Sequence, residues 1–353
     1  MSDGSVISNT VLITGGAGFI GSNFIPFFLE KNPDIQIINL DKITYAGNLE
    51  NLREIKKNNR HIFVEDDICN AELSDTIFKK HNIGSVIHFA AESHVDNSIV
   101  SPDTFIQTNI HGTFNLLEAA KEHWLEAPNR AKKGFEAARF HHISTDEVYG
   151  SLGNEGYFTE ETSYAPNSPY SASKAASDFL VRSYFHTYGL NVVTSNCSNN
   201  YGPKQHNEKL IPTIIRKALA GERIPIYGDG KNIRDWLYVL DHCKGIDLVF
   251  KEGKTGDTYA IGGDNEHNNL DIAKRICDIL DEVRPRKTGS YKEQITFVED
   301  RLGHDRRYAI DASKIKNELG WQTETDFETG LRKTVSWYIE KIKHPRNFGD
   351  ART

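Results

Sequence analysis

Residues 11–22 read VLITGGAGFIGS, an apolar run followed by three glycines, Gly15, Gly18 and Gly21, in the spacing G-x-x-G-x-x-G. The apolar run predicts a buried strand, and the residues after it predict a helix. Glycines at this spacing allow a tight turn and let the backbone approach a pyrophosphate, which the free N–H groups at a helix N-terminus favour. The stretch therefore predicts the dinucleotide-binding turn of a Rossmann-like sheet.

An acidic residue suited to such a turn, Asp41, lies twenty residues beyond Gly21 and ends the second apolar run. A carboxylate at that position accepts hydrogen bonds from a ribose 2′-hydroxyl and repels a 2′-phosphate. These features predict NAD rather than NADP as the cofactor, although Lys42 beside Asp41 weakens the preference.

Apolar, β-branched runs recur along the first two hundred residues with helical segments between them. The runs occupy residues 11–16, 36–41, 61–66, 85–91, 139–145 and 191–197. This alternation predicts an α/β fold with a doubly wound parallel sheet. After about residue 200, prolines and Gly-rich turns break the rhythm, which predicts a smaller mixed α/β C-terminal domain. The expected division is 1–200, with 234–250 packing back on it, then 201–233 and 251–345, and a loose tail at 346–353.

Composition limits the class of protein. The chain has 353 residues, 26% of them charged, and a net charge of −7, so no global field attracts nucleic acid. No apolar run approaches the ~20 residues of a bilayer span, and the N-terminus does not resemble a signal peptide. The four cysteines are scattered without metal-ligand spacing, which is typical of free thiols in a reducing compartment. We therefore expect a cytoplasmic protein that binds neither membrane nor nucleic acid.

A second motif, Tyr170-x-x-x-Lys174, follows Pro169 and predicts a helix on which both side chains share one face. A nearby ammonium is expected to lower the pKa of a phenol from about 10 towards about 7, so that it can remove a proton from an alcohol. The predicted strand before this helix ends in Thr145-Asp146-Glu147.

Several segments together resemble the extended short-chain dehydrogenase/reductase superfamily and, within it, the dTDP-glucose 4,6-dehydratases. The resemblance runs from about Val11 to Tyr338, and its segments are LDKITYAGN, FAAESHVDNSI, HHISTDEVYG, SPYSASKAASD, NCSNNYGP, EKLIP, IRDWLYV and DRLGHDRRYAID. The family commonly has DRPGHD where this chain has Leu302, a departure that we expect to affect a substrate loop.

The resemblance implies a lyase reaction with recycled NAD, in which C4 of the hexose is oxidised, water leaves from C5 and C6, and the hydride returns to C6. It assigns Tyr170 as the base at C4, with Lys174 beside it, and Thr145 as a residue that hydrogen-bonds the C4 oxygen. Glu147 becomes the base at C5 and Asp146 the acid at C6. The acid needs a raised pKa, which burial beside a second carboxylate would provide.

The same resemblance implies two sets of binding residues. The NAD set is Gly15, Gly18, Phe19, Ile20, Gly21, Asp41, Lys42, Thr44, Asp67, Ile68, Ala90, Ala91, Glu92, Ser93, Thr108, Tyr170, Lys174 and Asn200. The nucleotide-sugar set is His94, Thr145, Asn199, Lys209, Leu210, Pro225, Tyr227, Arg234, Asn269, Arg301 and His304. The second domain would then bind the nucleotide sugar. No metal site is expected, because His141 and His142 are adjacent on a strand and point to opposite faces.

The apolar stripes of the helices around 111–126 and 170–188, together with the resemblance, predict a homodimer built on a four-helix bundle. Three alternatives remain for the function. The chain could be a nucleotide-sugar 4-epimerase, a 4,6-dehydratase of another nucleoside diphosphate hexose, or a catalytically silent NAD-binding regulatory protein. The acid pair could also be a solvated turn with capping carboxylates.

Overall fold

The computed structural model describes residues 8–300 and 302–343. The strands are β1 (Thr10–Thr14), β2 (Gln36–Asp41), β3 (His61–Glu65), β4 (Ser85–His88), β5 (Leu125–Ala127), β6 (Arg130–Ala131), β7 (Arg139–Thr145), β8 (Val192–Cys197), β9 (Asn199–Tyr201), β10 (Ile224–Tyr227), β11 (Ile233–Tyr238), β12 (Thr258–Ile261), β13 (Glu266–Asn268) and β14 (Ile295–Val298). The α-helices are α1 (Phe19–Lys31), α2 (Ala71–His81), α3 (Val95–Val100), α4 (Pro102–Phe105), α5 (Thr113–Trp124), α6 (Pro169–Tyr188), α7 (Leu210–Ala220), α8 (Val239–Glu252), α9 (Asn269–Val283), α10 (Ser313–Leu319) and α11 (Phe327–Lys343).

Seven parallel strands form the central sheet in the order β12-β8-β7-β4-β1-β2-β3. The order reverses between β1 and β4, and open α/β sheets bind ligands in the crevice outside the carboxyl ends of the strands at such a point. All six predicted strands lie in this sheet, so the Rossmann-like, doubly wound fold is confirmed.

Both faces of the sheet are covered by helices because successive strand residues point to opposite sides. On one side, Val11 and Ile13 of β1 belong to a core shared with α1 and α8. On the other side, Leu12 packs in a core with residues of α2, α5 and α6. Helix α8 covers most of the segment 234–250 that was expected to pack back on the sheet.

The carboxyl side of the sheet is followed by a smaller region with a core of its own. Strands β9, β11 and β13 form one small sheet and β10 and β14 another, and the apolar faces of α7, α9 and α11 pack beside them. The division of the chain into two domains at the predicted boundaries stays a prediction. The tail 346–353 and Arg301 lie outside the described residues.

One strand of the main sheet comes from a segment that was predicted to belong to the second domain. Strand β12, within residues 251–345, pairs with β8 in parallel. Its Tyr259 and Ile261 are buried against Val193 of β8 and Val249 of α8. This packing places the strand in the larger sheet. Within the described residues, no helix has the length and apolar character needed to cross a membrane.

Candidate active site

A large cleft lies at the carboxyl ends of β1, β2, β4, β7 and β8, where the strand order reverses. It encloses about 1520 Å³, counting the part open to solvent. Residues from the glycine turn, from the segment after β4 and from the end of β7 share its wall. The cleft therefore brings the two sequence motifs into one space.

The glycine turn has the shape that the motif predicted. Gly15 has a φ of +71°, and a Cβ there would lie 2.6 Å from the backbone nitrogen of Ala90. A Cβ on Gly21 would lie 2.5 Å from the carbonyl oxygen of Gly15, so the helix can approach the strand only with glycine there. Gly18 precedes the first residue of α1, whose N-terminus faces the cleft. This turn fits a pyrophosphate at the start of the helix.

We expect Gly15→Ala to abolish NAD retention and to destabilise the protein. The substitution combines a left-handed backbone, which costs an L-residue about 1–2 kcal/mol, with a clash against the backbone of Ala90. Thermal unfolding and the NAD content of purified protein measure both effects. Gly221→Ala is the matched control, because Gly221 has a similar φ of +73° with no atom near the added Cβ. Equal stability losses and equal NAD content in the two variants would contradict this role of the turn.

Asp41 lies at the end of β2 on the rim of the cleft. Its Oδ2 accepts a hydrogen bond from the backbone N–H of Ala17 and its Oδ1 from that of Ile43, both at 2.9 Å. Burial raises the pKa of Asp41, against the lowering effect of these hydrogen bonds. The side chain of Lys42 turns away to Thr108, 3.1 Å from its Oγ1, and to Asp67. Each Asp41 oxygen keeps capacity for a ribose hydroxyl, so the rim fits NAD.

Every residue of the predicted NAD set lines this cleft. They are Gly15, Gly18, Phe19, Ile20, Gly21, Asp41, Lys42, Thr44, Asp67, Ile68, Ala90, Ala91, Glu92, Ser93, Thr108, Tyr170, Lys174 and Asn200. Their individual contacts with NAD remain predictions.

The acid pair follows β7 directly and opens a 3₁₀ helix, Asp146–Tyr149. The Thr145 hydroxyl caps this helix by accepting a hydrogen bond from the N–H of Glu147 at 3.2 Å, and it donates to Oδ1 of Asp146 at 3.3 Å. Asp146 is only 2% exposed, and its Oδ2 has no hydrogen-bond partner among the described residues. The side chain is therefore a buried acid that faces the cleft.

The environment of Asp146 favours its protonated form. Burial raises the pKa of Asp146 well above its ordinary value, and the neighbouring charges of Glu147 and Asp235 raise it further. Arg234 and the hydrogen bond from Thr145 oppose this shift. A protonated acid, Asp146, thus stands next to a second carboxyl group, that of Glu147, and general acid–base catalysis can use such a pair.

Helix α6 begins as predicted at Pro169, with Ser168 and Ser171 forming a capping box. Tyr170 and Lys174 are both buried on the face of α6 that meets the cleft. The sequence predicted that Lys174 lowers the pKa of Tyr170. When only the groups of the protein act on Tyr170, this prediction is wrong. Burial, followed by the charge of Glu147, raises the Tyr170 pKa well above its ordinary value, and a hydrogen bond with Thr145 only partly opposes this. The ammonium of Lys174 instead donates to the carbonyl of Ile143 at 2.9 Å.

The predicted nucleotide-sugar set is divided between two places. Thr145, Asn199 and Lys209 line the cleft, and the Lys209 ammonium donates to the Ser93 carbonyl at 2.9 Å. His94 lies 3.4 Å from a carboxylate oxygen of Glu208, which also lines the cleft. Leu210 follows Lys209 as the first residue of α7.

The other described members of that set lie in the smaller region. Arg234 of β11 is buried, with its guanidinium 4.2 Å from the ring centre of Tyr308 and one N–H donating to the Asp305 carbonyl. The Tyr227 ring lies 6.4 Å from the His304 ring. Pro225 belongs to β10, Asn269 begins α9, and Arg301 lies outside the described residues. Leu302, which departs from the family motif, is 76% exposed.

Several residues that line the cleft were missed by the sequence predictions. They include Ser144, Cys197, Ser198, Gln205, His206 and Glu208. The first three lie at or just beyond the carboxyl ends of β7 and β8, and ligands bind at those ends in parallel sheets, so strand position alone could have identified them. The segment 205–208 has no comparable signal in the sequence.

Comparisons with known proteins identify the family. The family model described as GDP-mannose 4,6 dehydratase matches residues 12–334. A dTDP-glucose 4,6-dehydratase from Xanthomonas campestris pv. campestris (strain B100) is 55% identical over 331 residues, which cover 94% of this chain and 93% of the relative. The chain belongs to the dTDP-glucose 4,6-dehydratase family. The resemblance carried by the sequence motifs is thereby confirmed.

Solved structures agree with this assignment. A dTDP-glucose 4,6-dehydratase from Streptomyces venezuelae with NAD and TYD bound matches with a TM-score of 0.86 and 43% identity, over 95% of this chain and 98% of that one. A UDP-glucose 4-epimerase from Thermotoga maritima, solved with UDP-glucose, matches with a TM-score of 0.81 but only 27% identity, over 94% and 99%. Since both share the fold, the fold alone does not separate dehydration from epimerisation.

Proposed function

We propose that this protein converts dTDP-glucose to dTDP-4-dehydro-6-deoxy-glucose as an NAD-dependent hydro-lyase. The observation that supports it most is the position of Asp146 and Glu147, side by side in the cleft next to Thr145 and Tyr170. Relatives that are 55% identical over nearly the whole chain carry the name of this enzyme. Water elimination needs a base and an acid at neighbouring carbons, and this pair supplies both.

The residues of the glycine turn and Asp41 would hold NAD, with its pyrophosphate at the start of α1. When bound, NAD accepts a hydride from the sugar and later returns it, so it is not consumed. The chain's own contribution is to keep the cofactor in place and to exclude bulk water through the buried strand ends at Ile143 and Thr145. Because NAD ends each cycle in its oxidised form, it need not leave the protein between turnovers.

Oxidation at C4 requires that the hydroxyl proton be removed. Tyr170 is the proposed proton acceptor, and Thr145 holds the C4 oxygen through its hydroxyl. The raised pKa of Tyr170 means that positive charge near the phenol is needed to form the phenolate. Lys174, one helical turn away, supplies one such charge.

Elimination uses the carboxylate pair. Once C4 is a ketone, the C5 proton is acidified, and Glu147 removes it. Hydroxide is a poor leaving group, so the C6 oxygen needs a proton as it leaves, and Asp146 donates it. The raised pKa of Asp146 keeps this acid protonated at a pH where an ordinary aspartate would be ionised.

The nucleotide specificity is tested with a panel of sugars. The family model carries the name of a GDP-mannose enzyme, whereas the relatives at high identity are named for dTDP-glucose. We expect protein incubated without added cofactor to remove water from dTDP-glucose at least about tenfold faster than from UDP-glucose or GDP-mannose, followed by mass spectrometry. Epimerisation of any of these sugars without loss of water would contradict the proposed reaction.

We propose that two copies of the chain associate through α5 and α6. Phe114 of α5 and Phe179 of α6 are 41% and 58% exposed, which is high for phenylalanine side chains on long helices. The two helices pack together, so their outer faces are continuous.

A cytoplasmic location fits the free cysteines at 69, 197, 243 and 277, three of which are buried.

If α5 and α6 form the dimer interface, a charged side chain at position 179 should disrupt the dimer. Phe179→Asp should shift the protein from dimer to monomer at micromolar concentration, because a carboxylate at the centre of an apolar interface is left unpaired. Light scattering after gel filtration measures the mass. Val283→Asp is the control, since Val283 is 51% exposed at the end of the distant helix α9. A dimeric Phe179→Asp variant would contradict the proposed interface.

A further inference from the structure

A buried carboxylate beneath the site has no part in the reaction described above. Asp178 lies on α6 one turn beyond Lys174 and two turns beyond Tyr170, so the three side chains share a helix face. It is almost fully buried. An ionised carboxylate rarely occupies such a position unless hydrogen bonds and a countercharge stabilise it there.

Two of its hydrogen bonds come from β7, the strand that carries the acid pair. Oδ1 lies 3.0 Å from Nε2 of His142, and Oδ2 accepts from the hydroxyl of Ser144 at 2.9 Å. His142 and Ser144 are two residues apart and therefore point to the same side of the strand. The Asp178 carboxylate thus holds the last residues of β7 before Thr145 against α6.

Two more hydrogen bonds complete the set. The Tyr164 hydroxyl donates to Oδ2 at 2.9 Å, and the Asn196 side-chain N–H lies 3.4 Å from the same oxygen. The Asn196 amide also donates to the backbone carbonyl of Thr145 at 3.0 Å. Asp178 is therefore connected through Asn196 to the residue that caps the acid pair.

The second contribution of Asp178 is its charge. Lys174 is buried, and burial lowers its pKa. Among the influences that raise the Lys174 pKa, the charge of Asp178 is the largest. The Lys174 ammonium donates to a neutral partner, the Ile143 carbonyl. A buried ammonium without a countercharge is strongly destabilised relative to its neutral form.

The other titratable groups near Lys174 do not provide this countercharge. They are His88 on β4, His142 on β7, Cys197 on β8 and Tyr170 on α6 itself. Burial lowers the pKa of His142 to about 4, and it also lowers that of His88, so both are neutral at neutral pH. Burial raises the pKa values of Cys197 and Tyr170, which keeps both of them protonated at neutral pH. Cys197 would raise the Lys174 pKa only as a thiolate, a form that its own raised pKa excludes at neutral pH.

We propose that Asp178 is a positioning residue for the reaction: its carboxylate fixes the carboxyl end of β7 against α6 and balances the charge of the Lys174 ammonium. Asp178 does not line the cleft, so it acts through Lys174 and Thr145. The inference rests on the proposed function, because it assigns Asp178 to the oxidation step at C4.

The test isolates that step. In a Glu147→Gln background, the proposed function predicts cofactor reduction by dTDP-glucose without elimination, so the near-ultraviolet absorbance of reduced nicotinamide reports the C4 step alone. Asp178→Asn in this background should lower the reduction rate about tenfold at neutral pH. The alkaline limit of the rate should also move down by about one pH unit, since one unit corresponds to a tenfold change in protonation. The sugar concentration for half-maximal rate should stay within about twofold.

Tyr164→Phe in the same background is the matched control. It removes one donor to the same Asp178 oxygen but leaves the negative charge, so its alkaline limit should equal that of the parent. An Asp178→Asn profile identical to the parent overturns this inference alone. No reduction in the Glu147→Gln parent overturns the proposed function, and this inference with it.

A variant that keeps the charge covers the case in which Asp178→Asn does not fold, as judged by circular dichroism. Asp178→Glu moves the carboxylate by one methylene without removing it. We expect an unchanged alkaline limit and a reduction rate lowered at least several-fold, because the end of β7 is displaced. A rate equal to the parent, or a shifted alkaline limit, would overturn the proposal.

Discussion

The Glu147→Gln variant should reduce its bound NAD when dTDP-glucose is added and then stop before water is lost. Glutamine has nearly the same shape as glutamate but cannot remove the C5 proton, while the groups assigned to C4, Thr145 and Tyr170, are untouched. Turnover should fall by about 10²–10⁴-fold, the usual contribution of a general base. Absorbance of the reduced cofactor and mass spectrometry of the sugar measure the two stages separately.

The control for this variant is Glu161→Gln, which removes a carboxylate from the loop between the acid pair and α6. Glu161 is exposed and does not line the cleft, so its substitution should leave turnover within about twofold. Normal product formation by Glu147→Gln would remove the role assigned to this side chain.

Asp146→Asn should have an effect of similar size for a different reason. The amide cannot protonate the C6 oxygen as hydroxide leaves, so product formation should fall by about 10²–10⁴-fold. Because the C5 base is intact, exchange of the C5 proton with solvent should continue. Measured exchange without product separates this variant from Glu147→Gln, in which exchange should be lost. Loss of exchange in both variants would contradict the separate roles.

The same substitution should change how stability depends on pH. In the unfolded chain the Asp146 carboxyl ionises near its ordinary pKa of 3.8, whereas burial keeps it protonated to higher pH in the folded protein. As the pH rises above about 4, the unfolded state is therefore favoured progressively, and Asp146 costs the fold stability. Asp146→Asn removes this cost. Its unfolding temperature relative to the parent should therefore rise as the pH increases above about 4, and a constant difference would mean that Asp146 is not held protonated.

The parts of the fold that the sequence predicts are those with strong local signals. The first strand, the glycine turn and the helix after it carry an apolar run, three glycines at fixed spacing and a helical pattern. Helix α6 has a proline at its first position and a serine cap before it. These signals come from residues close together in the chain, so no tertiary contact is needed to interpret them.

The role of β12 and the burial of Asp178 could not be predicted from local sequence. Strand β12 has four residues, too few for a periodic pattern, and only its pairing with β8 identifies it as part of the main sheet. An aspartate in a helix ordinarily faces solvent. The burial of Asp178 depends on donors from β7, β8 and Tyr164, which are distant in sequence.

The Tyr170 pKa was predicted in the wrong direction for a related reason. The i, i+4 spacing correctly places Lys174 on the same helix face, but spacing does not reveal how deeply the phenol is buried. It also does not reveal that Glu147, a residue from another element, lies near enough to raise the pKa of Tyr170. Net electrostatics at a buried site depends on every group around it, so one favourable neighbour is not sufficient to predict it.

Solvent deuterium shows whether a proton is removed from C5 while oxygen leaves from C6 of the same sugar, as the roles of Glu147 and Asp146 require. The protein is incubated with dTDP-glucose in D₂O without added cofactor, and the product is examined by NMR. We expect a 4-keto-6-deoxy sugar with deuterium at C5, while the hydride that returns to C6 comes from C4 of the same sugar and remains protium. A product that keeps the original hydrogen at C5, or a C4 epimer that retains its oxygen at C6, would contradict these roles.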